Sequence, residues 1–335
     1  MEELVKYKSK DFESDQEVRW CPGCDDYVIL RAMQRALPDM GKKKEDIVFI
    51  SGIGCSSRFP YYVETYGMHS IHGRAPAIAT GVKLANPDLS VWVITGDGDS
   101  LAIGGNHFIH LIRRNVNLNL ILFNNEIYGL TKGQFSPTSA MGLKTKSSPF
   151  GSVQKPFSAG ELAMGANTRY FARIAGNNPK AMTKLFVEAE KFEGTSIIEV
   201  LQNCVIFNDG VFDKFLDKEH RNTAQITVEH GKPMLFGKEN EYGLVLNGLK
   251  LEVATIGENG ITEVDILVHD AKEEDKTLHQ MLISLQNPIV FGVIRAIEDV
   301  TFDQSIHHQI AEAKENASVK NIDDLLFSGE TYEVE

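Results

Sequence analysis

The sequence predicts an α/β fold, a mostly parallel sheet with helices on both faces. Three consecutive segments carry this prediction: a strand at 90–100, a helix at 101–115 and a second strand at 118–126. A strand, a helix and a strand in that order form a right-handed βαβ unit whose two strands are parallel. Of the 335 residues, 42% are hydrophobic and 24% are charged, as in an ordinary globular protein.

Further elements extend this pattern on both sides of the βαβ unit. The segment 25–37 has apolar residues at helical spacing and ends before Pro38, which predicts an amphipathic helix. A β-branched run that enters a glycine turn predicts a buried strand at 46–57. The other predicted elements are a closely packed helix at 74–87, a helix at 179–192 and a strand at 195–201.

A long loop is predicted at 130–165. This segment is rich in Gly, Ser, Pro and Thr and has no clear period. Loops of this length inside a compact domain are usually functional. We therefore expect it to contribute to a binding site.

The character of the chain changes after residue 205, so we predict an α/β domain at 1–205 and a C-terminal extension at 206–335. Apolar residues alternate around Asn247-Gly248, which predicts a hairpin with a type I′ turn. The segment 277–285 and the final 306–335 predict helix and a polar tail.

Composition excludes several classes of protein. No apolar run approaches the roughly 18 residues of a membrane span, and the polar start, 1–15, has no signal-peptide pattern. Four cysteines in so long a chain do not make a disulfide scaffold, so we expect a cytoplasmic protein. The net charge of −12 argues against nucleic acid as a partner, because phosphate contacts need clustered Lys and Arg.

Two of the four cysteines stand three positions apart in "WCPGC", at Cys21 and Cys24. Two thiols in a Gly-Pro turn can form a redox dithiol, half of a structural zinc site or half of an iron–sulfur site. The spacing alone does not choose between these.

The ends of two neighbouring strands carry a second candidate site. "GDGDS" (96–100) offers glycines that let backbone N–H groups approach a phosphate, together with the carboxylate of Asp97. "NNEIYGL" (124–130) offers the amide oxygen of Asn125 and backbone carbonyls. In an open parallel sheet, ligands bind beyond the carboxyl ends of adjacent strands. The two segments together would hold Mg²⁺ against a diphosphate, although either alone is an ordinary turn.

The combination of these motifs resembles thiamine diphosphate-dependent enzymes, and among them the β subunit of 2-oxoacid:ferredoxin oxidoreductases, most closely the 2-oxoglutarate type. The resemblance runs from about Trp20 to Phe207 and rests on "WCPGC", "SGIGCSSRF", "HGRAPAIATG", "GDGD", "YGLTKGQ" and "NCVIFN". It implies a thiamine diphosphate-binding fold with the diphosphate-binding module in this chain. It also implies that Mg²⁺ is bound by Asp97, Asn125 and the carbonyl of Ile127, and that the diphosphate is lined by Gly96, Gly98, Asp99, His72 and Arg74.

The same resemblance implies a role for every cysteine in the chain. Cys21, Cys24, Cys55 and Cys204 would together bind a [4Fe–4S] cluster, for which four thiolates are the usual complement. A structural Zn²⁺ accepts four thiolates as well, so the ligand count does not decide. Four unrelated buried cysteines are a further alternative, whereas a dithiol at Cys21 and Cys24 leaves the other two unexplained.

Two cations are candidates for binding the substrate. In proteins that this sequence resembles, the positions of Arg58 and Lys132 face the substrate, and pyruvate-type relatives generally have a small neutral residue at the second position. 2-Oxoglutarate has one more carboxylate than pyruvate, and burying that carboxylate requires a fixed cation. We therefore expect Arg58 and Lys132 to bind the two carboxylates of 2-oxoglutarate.

The chain has one diphosphate-binding module and no second comparable half, so we infer an obligate α subunit that supplies the pyrimidine-side carboxylate, in an αβ or (αβ)2 assembly. The implied reaction is CoA-dependent oxidative decarboxylation of 2-oxoglutarate to succinyl-CoA and CO2, reversible under strong reduction, with electrons passed to ferredoxin. Alternatives are the same reaction on pyruvate or a branched-chain 2-oxoacid, a cluster-free thiamine diphosphate-dependent decarboxylase or synthase subunit, and a non-enzymatic iron–sulfur or zinc scaffold.

Overall fold

The computed structural model describes residues 6–334, so the first five residues of the polar start lie outside it. These described residues form eleven strands: Ile47–Ser51 (β1), Tyr66–His69 (β2), Ser90–Gly96 (β3), Leu118–Asn124 (β4), Tyr170–Ala175 (β5), Thr195–Leu201 (β6), Gln225–Val228 (β7), Leu235–Phe236 (β8), Tyr242–Asn247 (β9), Lys250–Thr255 (β10) and Ile289–Ala296 (β11).

Residues 6–334 also form eleven α-helices, of which the first precedes β1. They are Asp26–Ala36 (α1), Ala75–Ala85 (α2), Asp97–Leu101 (α3), Gly105–Arg114 (α4), Ala159–Gly165 (α5), Pro179–Glu190 (α6), Asp213–Leu216 (α7), Arg221–Ala224 (α8), Thr277–Ser284 (α9), Phe302–Glu315 (α10) and Ile322–Leu326 (α11). No helix within residues 6–334 is long and apolar enough to cross a membrane.

Eight strands form one sheet in the order β2-β1-β3-β4-β6-β5-β11-β7. All neighbouring pairs are parallel except β5 and β11, which are antiparallel. The pair β3 and β4, joined through α4, is the predicted βαβ unit. The predicted fold class, a mostly parallel sheet with helices, is confirmed.

Alternate residues of the central strands face two different cores. Val91 and Val93 pack in one core with side chains of α2, α4, α5 and α9. Trp92 and Ile94 pack in the other core with side chains of α1 and α6. Because successive side chains of a strand point to opposite faces, both faces of the sheet are buried under helices.

The region after residue 205 contributes to this sheet. Its strands β7 and β11 pair with each other, and β11 pairs with β5. A separate antiparallel sheet contains β8, β9 and β10. The division of the chain into two domains at residue 205 stays a prediction. The eight-stranded sheet contains strands from both sides of this boundary.

The hairpin of β9 and β10 forms, but its turn lies one residue further along the chain than predicted. Asn247 pairs with Lys250, so the two turn residues are Gly248 and Leu249. Gly248 has φ +60° and Leu249 is not among the residues with positive φ. A glycine with positive φ at the first turn position is typical of a type II′ turn, since type I′ requires positive φ at both positions.

Candidate active site

Four parallel strands place their carboxyl ends side by side at one edge of the sheet. In the order β1, β3, β4, β6, they lead into four loops. These loops begin with "GIGC" (52–55), "GDGDS" (96–100), "NEIYG" (125–129) and "QNC" (202–204). The segments that carry the sequence motifs are therefore neighbours in space, as expected for a site beyond the ends of parallel strands.

A cavity of about 320 Å³ lies at this edge, and we call it the thiamine cavity. It is lined by most of the residues that the sequence proposed for the cofactor. These are Gly96, Asp97, Gly98, Asp99, Asn125, Ile127 and His72. The structure thus brings together seven of the eight residues predicted for Mg²⁺ and diphosphate.

The eighth, Arg74, does not line this cavity. Its guanidinium donates to the backbone carbonyls of His72 (3.3 Å) and Ile103 (3.5 Å). Both carbonyls belong to loops that contribute side chains to the thiamine cavity. In this structure Arg74 therefore connects the loop of His72 and the loop of Ile103 by hydrogen bonds.

Asp97 is held in place from the long loop. Its side chain is almost fully buried, and its Oδ2 accepts hydrogen bonds from Ser136 Oγ and Thr138 Oγ1, both at 2.5 Å. Burial raises the pKa of Asp97, and the two hydroxyl donors oppose that shift. Neither Ser136 nor Thr138 has an individual signal in the sequence; only the unusual length of the predicted loop at 130–165 pointed to this segment. That loop is shorter than predicted, because its last residues form α5.

Asn125 and Ile127 line the same cavity as Asp97. Asn125 Oδ1 accepts from the backbone N–H of Ile127 at 3.2 Å. The carbonyl oxygen of Ile127 accepts no hydrogen bond within the described part of the chain. One carboxylate, one amide oxygen and one free carbonyl are the hard ligands that Mg²⁺ prefers.

Asp99 lines the thiamine cavity, and both of its carboxylate oxygens already accept hydrogen bonds within the chain. Its Oδ1 accepts from the backbone N–H groups of Gly73 (2.8 Å) and Ile53 (3.2 Å), and its Oδ2 accepts from Thr95 Oγ1 (2.8 Å). Both oxygens are thus used to fasten two loops to the end of β3. A Cβ on Gly52 would lie 1.8 Å from Asp99 Oδ2, so glycine is required there.

Gly98 closes the cavity floor against an aromatic ring. A Cβ at this position would lie 2.1 Å from Tyr128 Cε1, and Tyr128 Oη donates to the Gly98 carbonyl at 3.1 Å. Only glycine allows the backbone and the ring to approach this closely.

All four cysteines line a second cavity, of about 210 Å³, which we call the cysteine cavity. The four are free thiols. Cys21 is exposed in its turn, while the other three are partly buried. The main-chain carbonyl of Cys55 accepts from Trp20 Nε1 at 2.7 Å, which fastens its loop to the CPGC segment.

The four cysteines line one cavity without converging on a single point. Within residues 6–334 no three His, Cys, Asp or Glu side chains form a group that could hold a metal ion. Four thiolates around one Zn²⁺ lie about 2.3 Å from a single point, whereas these four surround a cavity. Burial raises the pKa of Cys55 to about 12, with further increases from Asp26 and Cys204. A cationic centre in the cavity would reverse this effect, because thiolates are the metal-binding form.

The two cavities share a wall. Five residues line both of them: Asp26, Cys55, Asn125, Gly129 and Leu130. Asp26 is almost fully buried, and burial, followed by the charge of Asp25, raises its pKa to about 7. The sequence analysis did not single out Asp26, although "CDD" directly follows the second cysteine. A cofactor in one cavity would therefore be a direct neighbour of a group in the other.

The two predicted substrate cations both line the cysteine cavity. Arg58 is partly buried and its Nε donates to Tyr62 Oη at 3.0 Å. Lys132 is exposed and has φ +71°, in the left-handed region. Arg58 also lines a third cavity of about 470 Å³ with His69. Neither cation lines the thiamine cavity itself.

Comparison with known proteins gives consistent matches. The family model for the thiamine pyrophosphate enzyme C-terminal TPP-binding domain (thiamine pyrophosphate is thiamine diphosphate) matches residues 52–200. The 2-oxoglutarate oxidoreductase subunit KorB of Mycobacterium tuberculosis is 50% identical over 334 residues, which span 98% of this chain and 89% of that protein. The 2-oxoglutarate synthase subunit KorB of Archaeoglobus fulgidus is 45% identical over 185 residues, 55% of this chain and 69% of that protein.

A solved structure matches over nearly the whole chain. It is a 2-oxoglutarate:ferredoxin oxidoreductase from Magnetococcus marinus with 2-oxoglutarate, coenzyme A and succinyl-CoA bound. The TM-score is 0.79 at 29% sequence identity, and the match covers 98% of each chain. The similarity therefore includes the C-terminal region as well as the motif-bearing part.

Proposed function

The chain belongs to the family of 2-oxoglutarate:ferredoxin oxidoreductase β subunits, and we propose how its two cavities serve that activity. The proposal is that the thiamine cavity holds thiamine diphosphate with Mg²⁺ and the cysteine cavity holds a [4Fe–4S] cluster. The reaction is the CoA-dependent oxidative decarboxylation of 2-oxoglutarate to succinyl-CoA and CO2, with electrons passed to ferredoxin. The shared wall of Asp26, Cys55, Asn125, Gly129 and Leu130 is the observation that carries this proposal.

The residues of the thiamine cavity fit the cofactor. Asp97, Asn125 Oδ1 and the Ile127 carbonyl would hold Mg²⁺, and the glycines Gly96 and Gly98 leave room for the diphosphate. Bound thiamine diphosphate supplies the electron-sink chemistry needed to cleave a bond next to a ketone. The chain itself orients the cation ligands through Ser136 and Thr138, and it keeps Asp97 away from water.

The cysteine cavity fits a redox group that exchanges electrons with an external carrier. On one side, Cys55 also lines the thiamine cavity. On the other side, Cys21, Pro22 and Gly23 are exposed at the surface. A cluster held by the four cysteines would supply one-electron transfer, with Cys55 on the side of the thiamine cavity and Cys21 on the exposed side where ferredoxin would dock.

A partner subunit is implied by the name of the related KorB subunits, and the rim of the thiamine cavity supports it. Ile103 and Leu130 line this cavity, and each side chain is more than half exposed. Exposed apolar side chains around a binding site are typical of a surface that another protein covers. We propose that the α subunit covers this rim and supplies the pyrimidine-side carboxylate, in an αβ or (αβ)2 assembly.

The isolated chain is therefore expected to bind thiamine diphosphate weakly and to show no turnover. Adding the α subunit should restore both, because it completes the cofactor site. Calorimetric titration with thiamine diphosphate and Mg²⁺, and 2-oxoglutarate-dependent reduction of ferredoxin, measure the two properties. Full 2-oxoglutarate oxidation by this chain alone, with ferredoxin and coenzyme A present, would contradict the proposed division between subunits.

We propose that Arg58 and Lys132 reach the carboxylates of 2-oxoglutarate from the neighbouring cysteine cavity. Arg58→Gln and Lys132→Gln should then each lower kcat/KM for 2-oxoglutarate by about thirtyfold, since a substrate carboxylate loses its cation. The kcat/KM for pyruvate, which has one carboxylate fewer, should fall less. Competition between the two acids in the assembled complex measures the preference. Lys146→Gln, an exposed lysine of the same long loop, is the control. A preference of the wild-type complex for pyruvate would refute the substrate, and equal losses for both acids would refute the role of the two cations.

A further inference from the structure

Gln202 lines the cysteine cavity and directly follows β6, the neighbour of β4, which Asn125 directly follows. Asn124 pairs with Leu201 in the register of β4 and β6, so the residues that follow them emerge at the same level. The backbone N–H of Gln202 donates to the Asn124 carbonyl at 2.8 Å, which continues the pairing by one residue. The side chain of Gln202 is only 1% exposed.

The side-chain amide of Gln202 contacts a residue of each site. Its Oε1 accepts from Asn125 Nδ2 at 2.7 Å. Its Nε2 donates to Cys24 Sγ at 3.2 Å and to the Asn203 carbonyl at 2.7 Å. One buried amide thus links a predicted Mg²⁺ ligand to a predicted cluster ligand.

The orientation of this chain of hydrogen bonds is determined by the backbone at both ends. The Ile127 N–H is a donor only, so the atom of Asn125 that faces it must be the oxygen. The nitrogen of Asn125 therefore faces Gln202, and the atom of Gln202 that accepts its hydrogen bond must be the oxygen. The nitrogen of Gln202 is left for two acceptors, the Asn203 carbonyl and the Cys24 sulfur. No rotation of either amide keeps all of these contacts.

We propose that Gln202 is the positioning residue that couples the two cofactor sites of this chain. The proposal rests on the function proposed above. Through its oxygen, Gln202 holds the Asn125 amide so that Oδ1 stays on the side of Ile127. Through its nitrogen, it stabilises negative charge on the Cys24 sulfur. Hydrogen bonds to cluster sulfurs raise the reduction potential, since the reduced cluster carries the additional negative charge.

Two substitutions separate the two halves of this role. Gln202→Glu keeps an oxygen that can accept from Asn125 but removes the amide donor to Cys24. Gln202→Leu removes both the acceptor and the donor at similar volume. The matched control is Gln34→Leu, because Gln34 is also buried and, among residues 6–334, its amide donates to the Tyr62 carbonyl alone, at 3.1 Å.

The experiment uses the complex assembled with the α subunit, prepared without oxygen. The cluster potential is measured by a redox titration followed by visible absorbance, and cofactor affinity by titration with thiamine diphosphate and Mg²⁺. Both Gln202 variants should have a lower reduction potential. At a fixed solution potential, the ratio of reduced to oxidised cluster should fall about tenfold, which corresponds to a decrease of about 59 mV in the potential of a one-electron couple. Only Gln202→Leu should also lose affinity for the cofactor, by about tenfold. Gln34→Leu should change neither.

Other outcomes would overturn the inference. Potentials of both Gln202 variants equal to that of the wild type would exclude the donor role, and an equal cofactor loss in the Glu and Leu variants would exclude the role of Oε1. A potential that falls equally in Gln34→Leu would reduce Gln202 to a general packing residue. A wild-type complex without iron, sulfide or thiamine-dependent turnover would instead refute the proposed function, so the two failures are distinguishable.

Discussion

Replacing Cys55 with serine is expected to abolish the visible absorbance of the protein and its electron transfer to ferredoxin. Cys55 is the cysteine that lines both cavities, so it lies between the proposed cofactor and the proposed cluster. A serine hydroxyl is nearly isosteric, but it is a poor ligand where a soft thiolate is required. Iron and sulfide content, absorbance and ferredoxin reduction are measured on the complex purified without oxygen. The wild type should be brown and the variant pale and inactive.

The matched control for this substitution is Ser57→Ala. Ser57 is buried two residues after Cys55, in the first turn of a 3-10 helix, and its Oγ has no hydrogen-bond partner within the described residues. Removing that hydroxyl leaves the segment without a lost contact, so iron content should equal that of the wild type. Full iron and sulfide in Cys55→Ser would show that the ligand assignment is wrong.

The central elements could be predicted from the sequence because their signals are local. The predicted strand at 195–201 coincides with β6, and the helices at 25–37 and 179–192 differ from α1 and α6 by at most two residues at an end. These segments carry buried apolar residues at a regular period. The strand at 90–100 was predicted too long, since β3 ends at Gly96 and the rest of "GDGDS" begins α3.

The missed elements depend on contacts that are distant in sequence. The edge strand β2 has four exposed residues and no apolar period. In β5, the buried Arg173 interrupts the apolar pattern, and its charge is compensated by Glu199 on β6 at 2.7 Å. Its other neighbour, β11, lies more than a hundred residues further along the chain. A local pattern contains no information about such a partner.

The candidate site divides in the same way. Asp97, Asn125 and the four cysteines stand in short motifs, so the resemblance identified them. Two residues that hydrogen-bond to them do not stand in these motifs. Thr138 is 41 residues from Asp97, and Gln202 is 178 residues from Cys24. Asp97, Thr138 and Gln202 follow β3, β4 and β6, which are neighbours in the sheet, and Cys24 reaches them from the segment before α1.

Replacing Asp97 with asparagine is expected to weaken the binding of thiamine diphosphate with Mg²⁺ by about a hundredfold. The variant keeps the size of the side chain but removes the only carboxylate among the proposed Mg²⁺ ligands. Turnover at ordinary cofactor concentrations should be lost, and excess Mg²⁺ and cofactor should restore part of it. Asp303→Asn is the control, since Asp303 is also a buried aspartate, whose Oδ1 accepts from the Asn117 backbone N–H at 2.9 Å.

Thermal unfolding distinguishes a cation ligand from a structural carboxylate at position 97. Burial raises the pKa of Asp97, so its charge is unfavourable in the folded chain without a cation. The cofactor-free variant should therefore unfold at a temperature no lower than that of the cofactor-free wild type. Adding thiamine diphosphate and Mg²⁺ should raise the Tm of the wild type and of Asp303→Asn, because a ligand that binds only the folded state stabilises it. The same addition should raise the Tm of Asp97→Asn far less. An equal increase in all three proteins would show that Asp97 does not bind the cation.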